Sequence, residues 1–84
     1  MEKKHTVKKI RKYVIATLSS PTLYLYKKPG EYNYSFSRNI ETATKTLDCF
    51  DAEILLKEYF EATNDRDIEM VVLPLDVTFE LIEE

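Results

Sequence analysis

The sequence predicts a small α+β domain with elements in the order βββααβ. A sheet of about four antiparallel or mixed strands carries one main and one short helix on a single face. Three observations lead there. The chain has 84 residues, 44% of them hydrophobic, with one Gly and three Pro, which suits one compact core and leaves no room for a second. Its first half holds β-branched and aromatic runs broken by turn residues. Its second half holds one helical stripe followed by one strict alternation.

Residues 1–12 read as a mobile basic arm, with Val7 and Ile10 the only aliphatics among lysines, and the domain proper spans 13–84. Tyr13-Val14-Ile15-Ala16-Thr17-Leu18 has strand composition and is stopped by Ser19-Ser20-Pro21. Thr22 to Lys27 forms a second strand. Lys28-Pro29-Gly30-Glu31 fits a type II turn, with Pro setting the second position and Gly accepting positive φ at the third. A third strand follows from Tyr32 to Ser37. With Lys28 opposite Glu31, Leu25 pairs with Tyr34 and Leu23 with Phe36, leaving Tyr24 and Tyr26 on the other face.

Asn39 caps a short helix carrying Ile40, Ala43 and Leu47. Asp51 caps the main helix, with Phe50 and Leu55 as a hydrophobic staple. Ala52, Leu55, Leu56, Tyr59 and Phe60 form its apolar stripe, and Asn64-Asp65 ends it. Val71, Leu73, Leu75, Val77, Phe79 and Leu81 then alternate with polar residues in the clearest strand of the chain. Pro74 places that strand at a sheet edge or at a bulge.

The composition excludes much chemistry. A single Cys and a single His form neither an intrachain disulfide nor an ordinary zinc site, and a cytoplasmic location is the expectation. No run approaches the roughly 20 apolar residues of a membrane span. One Gly writes neither a P-loop nor a dinucleotide fingerprint. His5 lies in the arm, where it is not held as a general base, and Cys49 reads as a small, partly buried residue at the helix start. Asp48 with Asp51, and Asp65 with Asp67 and Glu69, lack EF-hand spacing and read as caps and turn residues. The expectation is no enzyme, no cofactor and no metal.

Charge is distributed unevenly. Residues 1–28 hold eight basic residues against one acidic, while 29–84 hold four against fourteen. Two binding readings follow. In the first, Tyr24 and Tyr26 with Glu58, Glu61, Asp65, Asp67 and Glu69 contact a protein partner through an aromatic patch and a phosphate-like acidic surface. In the second, Lys3, Lys4, Lys8, Lys9, Arg11 and Lys12 neutralise phosphates of a nucleic acid while Tyr13 stacks on a base. The final strand also offers an edge for a homodimer, opposed by like charges at Asp76, Glu80, Glu83 and Glu84.

Tyr13-Val14-Ile15, the hairpin through Tyr24 and Tyr34, Ile40-Glu41-Thr42-Ala43-Thr44, Asp51-Ala52-Glu53 and the closing Val71-Val72-Leu73-Pro74-Leu75-Asp76-Val77 together cover most of residues 13–82. In this order of motifs the chain resembles small accessory proteins of phages and prophages of low-GC Gram-positive bacteria. The resemblance implies a compact α+β module without active-site residues. Some proteins of that kind block host defence nucleases, CRISPR effectors among them, by occupying their nucleic-acid sites. The expected function is therefore non-enzymatic inhibition of a host protein, with an anti-CRISPR role on a nuclease effector as its specific form.

Overall fold

The computed structural model describes residues 4–31, 33–65 and 67–83. Four strands form one antiparallel sheet: β1 (Lys4–Thr17), β2 (Tyr24–Lys27), β3 (Tyr34–Ser37) and β4 (Met70–Glu83). Their order is β3-β2-β1-β4, and α1 (Cys49–Thr63) packs on one face. The α+β class and the edge position of the last strand follow the sequence.

The core forms where three strands and the helix meet. Ile15, Leu25 and Tyr59 are buried together, with Tyr34, Phe36, Leu55, Leu56, Phe60, Met70 and Val72 packed around them. Tyr59 is 3% exposed and receives the rings of Tyr34, Phe36 and Phe60 edge-on at 5.4–5.7 Å. Such edge-to-face pairs set the positive ring edge against the negative face, which fixes the angle of α1 on the sheet. Thr17 is buried too, and its Oγ1 accepts from the Leu23 amide at 2.9 Å.

Several expectations are corrected. Residues 4–12, read as an arm without regular structure, are the first part of β1, and β1 pairs with β4 along its whole length from Lys4↔Glu83 to Thr17↔Met70. A fourteen-residue alternating strand requires a partner of equal length, and the N-terminal segment supplies it. The hairpin register is shifted by two residues: Leu25 pairs with Phe36 and Lys27 with Tyr34. The turn itself closes as read, with the Glu31 amide donating to the Lys28 carbonyl at 3.1 Å and Gly30 at φ +80, but β3 starts only at Tyr34. A shift of two keeps every side chain on its face, so Leu25, Tyr34 and Phe36 still meet the core.

Among the described residues there is one helix, not two. Asn39 makes a local turn, its Oδ1 accepting from the Glu41 amide, but the chain then leaves helical geometry. Thr44 is taken up by β2: its amide donates to the Leu25 carbonyl, and its Oγ1 accepts from the Lys27 amide at 2.8 Å. Thr46 exchanges two backbone bonds with Tyr13. These pairings outweigh the weak helix preference of a threonine-rich stretch.

Asp48, not Asp51, caps α1. Its Oδ1 accepts from the Asp51 amide at 2.7 Å. With the start moved back three residues, Phe50 falls in the first turn and points outward at 68% exposure, so the staple does not form. Cys49 is exposed for the same reason.

The molecule is long, 58 × 28 × 20 Å. Its radius of gyration is 15.9 Å, against about 12 Å for a compact chain of this length. The excess comes from residues 4–12 and 75–83, a two-stranded ribbon beyond the body. Described contacts of β1 with β2 and with Thr46 begin only at Tyr13.

Candidate functional site

Alternation along β1 and β4 gives the ribbon two unlike faces. On the α1 side stand Val7, Lys9 and Arg11, opposite Glu80, Thr78 and Asp76. On the other stand Thr6, Lys8, Ile10 and Lys12, opposite Leu81, Phe79, Val77 and Leu75. Arg11 Nε donates to Asp76 Oδ1 at 3.0 Å. This hydrogen bond and the accompanying charge hold the Asp76 carboxyl below the usual carboxylate range and raise the guanidinium.

The basic residues of the nucleic-acid reading are therefore divided. Lys8 and Lys12 flank an apolar strip, Lys9 and Arg11 share their face with two carboxylates, and Tyr13 joins the body through Thr46. The uneven charge along the sequence becomes cross-strand complementarity in space. Lys3 lies outside the described residues, as does the side chain of Lys4.

The residues of the protein-binding reading separate into two groups. Leu25 faces the core below α1, so its neighbours Tyr24 and Tyr26 project from the opposite side of the sheet, half-buried. The carboxylates lie elsewhere, Glu58 and Glu61 on the second half of α1 and Asp65, Asp67 and Glu69 in the segment that follows it. Glu58 and Glu61 are exposed on the helix. Asn64 ends it in the left-handed conformation at φ 54, its amide donating to the Phe60 carbonyl at 2.9 Å.

The following turn is tied back onto the helix. Thr63 Oγ1 donates to the Tyr59 carbonyl at 2.8 Å and accepts from the Asp65 amide at 3.2 Å. Tyr59 Oη donates to Asp65 Oδ2 at 3.4 Å, and Asp65 Oδ1 accepts from the Asp67 amide at 3.2 Å. Burial above all raises the Tyr59 phenol above its ordinary value, with the Asp65 charge adding to the rise. Glu69 is anchored through its carbonyl, which accepts from the Leu18 amide at 2.9 Å. An open depression lies here, lined by Leu18, Ser19, Asp67, Ile68 and Glu69.

The electrostatics of this end are unusual for a helix. A helix C-terminus carries about half a negative charge, which favours Lys, Arg or His in the last turn. α1 has no basic residue there and carries Glu61 instead. Lys57 reaches Glu61 at 4.0 Å, with both side chains largely in solvent, so it screens little. The carboxylates add to the dipole.

The sequence placed the end of α1 at Asn64-Asp65, and the structure adds how Asp65 ties the following turn back onto the helix through Tyr59. No group of three or more His, Cys, Asp or Glu among the described residues is placed to hold a metal ion, and no helix is long and apolar enough to cross a membrane. Comparison with family models, with curated proteins and with solved structures found no match.

Proposed function

We propose that the chain is a non-enzymatic accessory protein that binds and inhibits a host protein in the cytoplasm of a bacterial host. Its contact surface is the acidic pole formed by Glu58, Glu61, Asp65, Asp67 and Glu69. One observation carries the reading: carboxylates are held at the negative end of a helix dipole that has no cation in its last turn. Such an arrangement opposes folding and is relieved when a basic surface docks on it.

A basic groove that ordinarily takes a phosphate backbone is the complementary partner, and the nucleic-acid site of a nuclease effector, a CRISPR effector included, has that chemistry. Tyr24 and Tyr26 stand on the far side of the sheet and drop out of this contact.

Immobilised protein incubated with bacterial lysate at low salt tests the reading. A retained protein that is released by added double- or single-stranded DNA supports it. A retained protein that DNA does not displace removes the groove, and no retained protein removes host binding through this pole. The nucleic-acid alternative gains from Lys8 and Lys12 on one face of the ribbon. Titration of labelled DNA decides it: direct binding with a log–log salt slope of about 0.7–0.9 per phosphate contact favours it over the acidic pole.

A further inference from the structure

Two exposed apolar surfaces lie outside the acidic pole. The first is the ribbon face away from α1. Phe79 and Leu81 are 49% and 58% exposed there, beside half-buried Ile10, Leu75 and Val77. Lys8 and Lys12 flank this strip, and over residues 6–12 and 73–81 the face carries no carboxylate. The second is the outer side of the first two turns of α1. Phe50 and Ile54 are 68% and 41% exposed there, and Leu47, just ahead of the helix, is 74% exposed, with Asp51 and Glu53 adjacent in sequence.

We propose that the chain self-associates head to tail, the apolar, lysine-flanked ribbon face of one copy seating on the apolar, acid-flanked start of α1 in a second copy.

Charge selects this pairing over the symmetric ones. Two ribbon faces set against each other bring Lys8 and Lys12 toward their own copies, and two helix patches bring Asp51 and Glu53 together. Ribbon against helix sets lysine beside carboxylate around an apolar centre, the layout of a protein interface with a greasy core and polar rim.

A copy does not satisfy itself. α1 covers the side of the sheet marked by Ile15 and Val72, and the ribbon strip alternates to the other side.

The edge of β4 is hindered for the alternative contact. Tyr13 spends its backbone amide and carbonyl on Thr46, so Tyr13↔Pro74 is a pair without mutual hydrogen bonds. Pro74 therefore turns the position of its missing N–H outward, and Asp76, Thr78 and Glu80 follow at the next outward-facing backbone positions. Proline and like charge are standard obstacles to edge pairing. The contact proposed is therefore through a face and not through this edge.

Because two different surfaces meet, every added copy leaves one ribbon and one helix patch free, and the assembly extends until it closes on itself. Sedimentation and light scattering test this with the full chain, Phe79→Glu and Phe50→Glu. Circular dichroism checks that both variants, altered at exposed positions, are folded. The expected result is a wild-type mass that rises with concentration and falls with salt, and variants that each stay at 9.9 kDa.

An equimolar mixture of the two variants forms a dimer and nothing larger, because it combines one intact ribbon with one intact helix patch. A wild-type chain that is monomeric at millimolar concentration overturns the proposal. So does an associating wild type of which one variant still associates on its own, which identifies a symmetric contact, and so does one whose variant mixture stays monomeric. The contact uses neither Glu58 nor Glu61, so its failure leaves host binding through the acidic pole standing.

Discussion

Glu61→Lys should make the protein more stable while weakening its partner contact. Glu61 stands in the last turn of α1, three residues before the left-handed Asn64, where the dipole is negative. Removing the carboxylate relieves about 0.3–1 kcal/mol, and placing a cation there adds about as much again. Against this, the change gives up the Lys57–Glu61 pair, worth about 0.3–0.5 kcal/mol at most between exposed groups, and sets Lys57 against a like charge for a similar penalty.

The net expectation is a gain of up to about 1 kcal/mol. For a domain of this size that raises the melting temperature by up to roughly 8 °C. Thermal and urea unfolding followed by circular dichroism measure it, and the gain should shrink in about 1 M salt, where the Debye length falls to ~3 Å. A lower melting temperature, or a gain that salt leaves intact, would refute the claim that this pole holds electrostatic strain.

Three further outcomes follow from named contacts. Asp48→Ala removes the acceptor of the Asp51 amide and should cost about 0.5–2 kcal/mol in urea unfolding, whereas Asp51→Ala should cost less. Tyr59→Phe keeps the edge-on ring contacts and loses the bond to Asp65, a penalty of about 0.5–1.5 kcal/mol. The folded Tyr59 phenol titrates above its unfolded value, so its contribution is complete below about pH 10 and lost as pH rises through the folded value; alkaline unfolding should be less steep in the Phe variant. Pro74→Val restores an outward N–H on β4 and should increase aggregation, read by turbidity, without weakening the β1–β4 ladder.

The helix and the last strand were legible from their periods: Ala52, Leu55, Leu56, Tyr59 and Phe60 recur at helical spacing on the side of α1 that meets the core, and Val71 to Leu81 alternate along β4. β1 was legible only from Tyr13 onward. Its first half alternates lysines with a few aliphatics, and its strand character comes from pairing with the far end of the chain, Lys4 with Glu83. The cue lay in β4, whose length demanded an equally long neighbour.

The short helix expected at Asn39 failed because Thr44 and Thr46 bond to strands distant in sequence. Of the candidate site, the carboxylates and the helix stop at Asn64 could be named in advance, while the bonds of Tyr59 and Thr63 to Asp65 could not. The tyrosines were separated from them by strand alternation, once Leu25 was committed to the core.

The most direct test of the acidic pole compares the salt dependence of host-protein capture by wild type and by the Glu58→Lys, Glu61→Lys double variant, with the amount retained measured at each salt concentration. The account predicts that at low salt the variant retains the partner at least tenfold less tightly, a difference of about 1.4 kcal/mol, and that wild-type retention falls toward it as salt rises. Equal retention by a folded variant across the whole salt range would contradict it.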